Sequence, residues 1–146
     1  MQKVAELLKF KGSQVSTISQ NETVFQALQI MSKKGIGALP VTDDKGHMIS
    51  IVSERDYARK VVLEGRSSND TLIKDIMPST LYVVKLQTTL EECMAIMTEQ
   101  RVRHLPVVQD GKLAGIVSIG DLLKAIITEQ HIMIKDLEDY IQGKYP

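Results

Sequence analysis

Apolar positions along this chain follow two rhythms, and the order of those rhythms is itself repeated. Val24, Ala27, Leu28 and Met31 recur at helical spacing after Thr23, a residue suited to capping, and run into Lys33, Lys34 and Gly35, a C-terminal signature. Residues 39–42 and 48–52 are strand-like and flank the acidic turn 43–46, which predicts a hairpin. A helix from Ser53 or Glu54 follows, with Tyr57, Ala58, Val61 and Val62 on its apolar face. It runs out in the polar stretch 65–69, read as a linker. Upstream, Val4, Leu7 and Leu8 predict a short lead-in helix ended by Gly12, and 15–18 a strand.

The same order returns about 66 residues later. Leu72, Ile73, Ile76 and Met77 predict a lead-in helix stopped by Pro78, and 81–84 a strand. Thr89 caps a helix with Leu90, Cys93, Met94 and Met97 inward. Residues 105–108 and 113–117 form a hairpin around Asp110 and Gly111, and Ser118 opens a helix through Leu122, Leu123, Ile126 and Ile127. The expected fold class is therefore α/β (α+β), with two β-α-β-β-α repeats around a shared core. A short lead-in helix precedes them and a C-terminal helix follows. The expected divisions are 1–68, 69–128 and a helical tail, 129–146. Leu39, Val41, Ile51, Leu105, Val107 and Ile116 are expected in the core. Two copies are too few for a solenoid, so they bury each other's apolar faces and leave two similar clefts.

Composition narrows the partners. Eighteen basic residues balance eighteen acidic ones, with no cationic footprint for nucleic acid. The apolar runs are strand-sized, which argues against membrane insertion, and the expected setting is cytoplasmic. The single cysteine, Cys93, sits in a helical apolar stripe and reads as a buried thiol in a reducing compartment. His47, His104 and His131 are scattered, without a second ligand at metal-binding spacing, so no metal site is expected. Ile132, Ile134, Leu137 and Ile141 in the tail either extend the last helix or pack on a second subunit.

The candidate chemistry lies in a serine followed three residues on by an aspartate, once per repeat: Ser53 with Asp56, and Ser118 with Asp121. A helix N-terminus offers unpaired amides to phosphate, and a nearby carboxylate accepts from both hydroxyls of a ribose. The same spacing is also that of an ordinary capping box. Recurrence leaves both readings open, because duplication copies caps as readily as sites.

The repeated order, with Gly37-x-x-Pro40-Val41 and Leu105-Pro106-Val107 before Ile51-Val52-Ser53-x-x-Asp56 and Gly115-Ile116-Val117-Ser118-x-x-Asp121, resembles a tandem pair of cystathionine-β-synthase-type (CBS) domains. Residues 53–57, 65–68, 101–104 and 140–143 are similar to the stand-alone CBS-pair proteins of bacteria and plant organelles. The resemblance implies a regulatory module for energy or redox sensing that binds an adenine nucleotide (AMP, ADP, ATP or NAD) and is no enzyme. It further implies two repeats packed by pseudo-two-fold symmetry through their strands, and a homodimer, two pairs meeting in a disc, acting on an unknown regulated protein. In the second-repeat cleft it implies Asp121 on ribose, Ser118 and the potential donors Arg103 and His104 toward phosphate, and adenine against Ile116, Val102 and Leu105, closed by Ser16. In the first-repeat cleft it implies Asp56, Ser53, Ile51, Ile36, Gly37, Ala38, Leu39 and Tyr82, with Arg55 and Arg66 in reach of phosphate.

Because Arg103 and His104 stand where the first copy has Gly37 and Ala38, tighter binding is expected at Asp121. The alternatives are a ligand-free structural dimerisation module with vestigial clefts and a small nucleotide-processing enzyme. The latter lacks a Walker-type loop, a histidine pair or a Ser-His-Asp set brought together by the repeats.

Overall fold

A computed structural model describes residues 2–143; Met1 and the last three residues of the expected tail lie outside it. The order is α1 (Val4–Lys11), β1 (Ile18–Ser19), α2 (Val24–Lys34), β2 (Ala38–Thr42), β3 (Met48–Ser53), α3 (Glu54–Tyr57), α4 (Leu90–Gln100), β4 (His104–Gln109), β5 (Lys112–Ser118) and α5 (Ile119–Ile141). α3 passes directly into a π-helical turn, Ala58–Val62. In the first half β1 pairs parallel to β2, and β2 antiparallel to β3. In the second half β4 pairs antiparallel to β5.

The sequence dictates the helix ends. Thr23 accepts from the Gln26 amide at 3.2 Å while Gln26 Oε1 accepts from the Thr23 amide at 2.8 Å, a reciprocal cap. Thr89 starts α4 by accepting from the Glu92 amide at 3.1 Å. α2 stops at Gly35, with φ of 66°, but α4 stops at Arg101, with φ of 55°, in the left-handed region that a non-glycine residue enters at a cost.

The expected strands shrink at both repeat entrances. The strand at 15–18 is the two-residue β1, and the one at 81–84 is a single parallel bridge from Val84 to Val107. The lead-in helix at 72–77 is one 3-10 turn, Ile73–Asp75. Each stretch has only a few residues between tight turns, too few for regular ladders. The tail is no separate element: its helical part continues α5, which runs 23 residues, about 34 Å.

Instead of one shared core there are two. Ile18, Val24, Ala27, Met31, Leu39, Val41, Val52, Val61, Ile73 and Ile76 make one, and Val4, Leu7, Leu8, Val84, Leu90, Cys93, Met97, Leu105, Val107, Val117 and Leu122 the other. The lead-in segments cross over. α1 packs on the second half, with its Val4 amide on Thr88 O at 2.9 Å and its Ala5 amide on Leu86 O at 3.0 Å; the 3-10 turn packs on the first, with the Ile73 amide on Glu22 O at 2.9 Å. Of the apolar face expected at Tyr57, Ala58, Val61 and Val62, Val61 is a core residue and Val62 is exposed. Ile51 and Ile116 are half-buried, and their neighbours Val52 and Val117 fill the cores, because alternation along each strand turns the isoleucines to the other face.

Candidate functional site

Both Ser-x-x-Asp motifs form the reciprocal cap. Asp56 Oδ2 accepts from the Ser53 amide at 2.9 Å and the Ser53 hydroxyl at 3.1 Å, and Asp121 Oδ2 accepts from the Ser118 amide at 2.9 Å. The first amide of each helix is tied to the same place in its repeat: Glu54 N donates to Gly37 O at 3.0 Å, Ile119 N to Arg103 O at 2.9 Å. The caps thus fix each carboxylate beside the start of its hairpin, and capping excludes neither candidate from further work.

What surrounds the two carboxylates differs. A cavity of about 580 Å³ opens at Asp56, lined on the first half by Gly37, Ala38, Ile51, Ser53, Glu54, Arg55, Asp56, Arg59 and Lys60, and on the segment beyond by Pro78, Thr80, Tyr82 and residues 100–104. That size is ordinary for a small-molecule site. Arg55, Arg59, Lys60, Arg101 and Arg103 give five cations against Glu54 and Asp56, so the cavity suits a ligand of several negative charges. Ile51 and Tyr82 supply apolar and aromatic surface. Asp56 Oδ1 lies 3.9 Å from Lys60 Nζ, which itself donates to Ile76 O at 2.8 Å. Arg55 Nη1 donates to Arg101 O at 3.1 Å across the junction between the halves.

The second carboxylate is engaged from within. Lys11 Nζ, at the end of α1, donates to Asp121 Oδ2 at 2.5 Å and to Ile116 O at 2.8 Å. Burial pushes the Asp121 carboxyl up, but the Lys11 and Ser118 hydrogen bonds outweigh it and hold it below the ordinary value. His104 is shifted down, first by burial and then by the Lys11 and Arg103 cations, with Asp121 opposing. A side chain added at Gly37 would meet the His104 ring at 3.5 Å, so the histidine faces the first half.

The residues named from sequence are thus regrouped. Gly37, Ala38, Ile51, Ser53, Arg55, Asp56 and Tyr82 line the Asp56 cavity, joined there by Val102, Arg103 and His104 from the other set. Ile116 O and Asp121 accept from Lys11, and Ser118 is paired with Asp121 in the cap. Ile36 and Ser16 are outside the cavity lining, Leu39 and Leu105 have their side chains in the cores, and Arg66 pairs with Glu64 at 3.6 Å. The extra donors expected beside Asp121 therefore line the cavity of the opposite copy.

Sequence reasoning missed Arg59, Lys60 and Arg101. The first two follow Asp56 by three and four residues, the spacing of one helical face. Arg101 was legible as the position where the second copy breaks the helix-ending glycine of the first.

Among the described residues no helix is long and apolar enough to cross a membrane, and no group of three or more His, Cys, Asp or Glu could hold a metal ion.

Comparison with known proteins agrees with this architecture. The CBS domain model matches twice, at residues 10–63 and 73–128. The chain is 35% identical over 150 residues to the mitochondrial CBS domain-containing protein CBSX3 of Arabidopsis thaliana, covering 97% of this chain and 73% of the relative. A solved protein with CBS domains from Burkholderia ambifaria superposes with a TM-score of 0.84 at 47% identity, over 88% of this chain and 96% of that one. The CBS domain pair of protein MJ0100, solved in complex with 5′-methylthioadenosine and S-adenosyl-L-methionine, gives 0.78 at 22% identity, over 88% and 98%. With two domain matches in one chain and two structural halves to carry them, the protein belongs to the CBS-domain family as a tandem CBS pair.

Proposed function

We propose that this CBS pair is a regulatory module that binds one adenosine-containing nucleotide in the Asp56 cavity. The observation that carries the reading is the composition of that cavity: a carboxylate at one point, Ile51 and Tyr82 as apolar surface, and five basic side chains drawn from both halves. Adenine lies against Ile51 and the backbone at Gly37 and Ala38. Asp56 accepts from the ribose hydroxyls, and the phosphates meet Arg55, Arg101 and Arg103. The adenosine-type ligands of the MJ0100 pair are a precedent for this ligand class on the same fold. A nucleotide bound across residues 37–60 and 100–104 ties the halves together, so occupancy favours one arrangement of the pair that a partner protein can read.

The direct test is a thermal-shift screen with AMP, ADP, ATP, NAD, NADH and S-adenosylmethionine. A ligand at 100 times its dissociation constant adds about 2.7 kcal/mol of stability. No shift with any of them sinks the nucleotide reading.

A second reading, a dimerisation module, is favoured by α5. Leu123, Ile127, Ile134, Leu137 and Ile141 are all exposed and lie four, seven, three and four residues apart, on one face of that helix interrupted at Gln130. The homodimer is compatible with nucleotide binding. Light scattering should give twice 16.3 kDa, and the double change Ile127→Glu, Ile134→Glu should return the monomer mass. A wild-type monomer at micromolar concentration removes this reading.

A further inference from the structure

The two clefts of a duplicated domain start equal, yet in the Asp121 cleft a lysine of the chain itself is hydrogen-bonded directly to the carboxylate. Lys11 is the last residue of α1, and its backbone is firmly set. Val4, Leu7 and Leu8 of the same helix are buried in the second core, the Leu90 amide donates back to Gln2 O at 3.0 Å, and Gly12 ends the helix by donating to Leu8 O at 2.8 Å. From that fixed point the ammonium reaches between the Asp121 carboxylate and the Ile116 carbonyl, at 2.5 and 2.8 Å.

The equivalents of those two residues in the first half are Asp56 and Ile51, both of which line the open cavity. Lys60, the lysine near Asp56, spends its short hydrogen bond elsewhere, on Ile76 O, and stands 3.9 Å from the carboxylate. At the carboxylate itself the clefts therefore differ in whether an ammonium is hydrogen-bonded to it: Lys11 is at Asp121, and Lys60 is not at Asp56.

We propose that Lys11 is the residue that decides which cleft takes nucleotide: it is a built-in occupant of the Asp121 cleft and limits the chain to one ligand. This rests on the reading of the Asp56 cavity as a nucleotide site. A ribose approaching Asp121 meets a carboxylate oxygen already neutralised by a charge-assisted bond, and an adenine approaching Ile116 meets an ammonium between it and the carbonyl. With side-chain exposures of 34% for Lys11 and 27% for Asp121, the pair is reachable from solvent, so it acts by competition and not by sealing the cleft. A bond of this kind, broken without replacement, corresponds to about 10- to 150-fold in affinity.

The test is calorimetric titration of the full chain with AMP, for wild type, Lys11→Met, and Lys11→Met combined with Asp121→Asn. Methionine keeps the unbranched stem and helix preference, and circular dichroism verifies the fold of each variant. The expected stoichiometries are one, two and one per chain. Wild type binding two, Lys11→Met still binding one, or Lys11→Met binding more weakly at a single site each overturns the proposal, the last by making Lys11 a ligand contact. Failure of the Asp56 reading looks different: wild type binds none while Lys11→Met binds one, which supports the role of Lys11 and removes that of Asp56. No binding by either folded protein overturns both.

Discussion

Replacing Asp56 with asparagine separates its two roles. In the native cap Oδ2 accepts from the Ser53 amide at 2.9 Å and from its hydroxyl at 3.1 Å, while Oδ1 points toward Lys60 at 3.9 Å. An asparagine keeps one oxygen, which the Ser53 amide will claim because that donor has no other use for an NH₂ group. The amide nitrogen then takes the place of Oδ1. It donates where the carboxylate accepted, so the ribose hydroxyls lose their charged acceptor while the helix start survives.

Hydrogen bonds to a charged group contribute about 1.5–3 kcal/mol, so affinity for AMP or ATP should fall about 10- to 150-fold. The melting temperature without ligand should move by no more than about a degree or two if the cap holds. Isothermal calorimetry on wild type, Asp56→Asn and Asp121→Asn decides it. The reasoning fails if Asp56→Asn binds as wild type does, or if Asp121→Asn is the variant that loses affinity. The second outcome is the order expected when Arg103 and His104 are credited to their own repeat.

Arg101→Gly should relieve the left-handed backbone, raising stability by about 1 kcal/mol in urea titration, while weakening nucleotide binding through loss of a cavity guanidinium; a variant that gains neither stability nor a binding defect refutes this. Gly115→Val should cost about 1–3 kcal/mol, because a Cβ there stands 2.9 Å from both methyl carbons of Leu8, and adding Leu8→Ala should recover part of the loss in a double-mutant cycle. Burial and the neighbouring Lys11 and Arg103 cations hold His104 below the ordinary histidine value of about 6.5, so the unfolded chain takes up the proton first. Stability should therefore fall as pH drops through that value, and His104→Gln should flatten this part of the melting curve between pH 7.5 and 5.5.

The repeat order was readable because each element carries its own signal: the Thr23 and Thr89 caps, the two Ser-x-x-Asp starts, and hairpins punctuated by Gly46 and by Asp110 with Gly111. Strand pairing at the entrances was not, since residues 15–18 and 81–84 have strand composition but partners for only one or two backbone positions. The site was legible at Asp56, Ser53 and Ile51, whose roles follow from local spacing. Lys11 and Arg101 act across long sequence separations, Lys11 on a carboxylate 110 residues away, and a periodicity reading within one repeat has no term for that. The same blindness credited His104 to Asp121 alone, although its ring faces Gly37.

The crossing of the lead-in segments has a consequence for biosynthesis. As the chain emerges from a ribosome, residues 18–76 contain everything the first core needs, including Ile73 and Ile76. α1 has no such luck: Val4, Leu7 and Leu8 await Leu90, Val117 and Leu122, the last of them 46 residues beyond Ile76. At about 5–20 residues per second the apolar face of α1 is bare for a further 2–9 seconds or so, which makes it the segment a nascent-chain chaperone would meet. The late, non-local docking of α1 also slows folding relative to a helix that packs on its sequence neighbours. A nick in the polar stretch 65–69 would leave each fragment holding the other's missing piece, so the two repeats should stay associated after cleavage and separate only on denaturation.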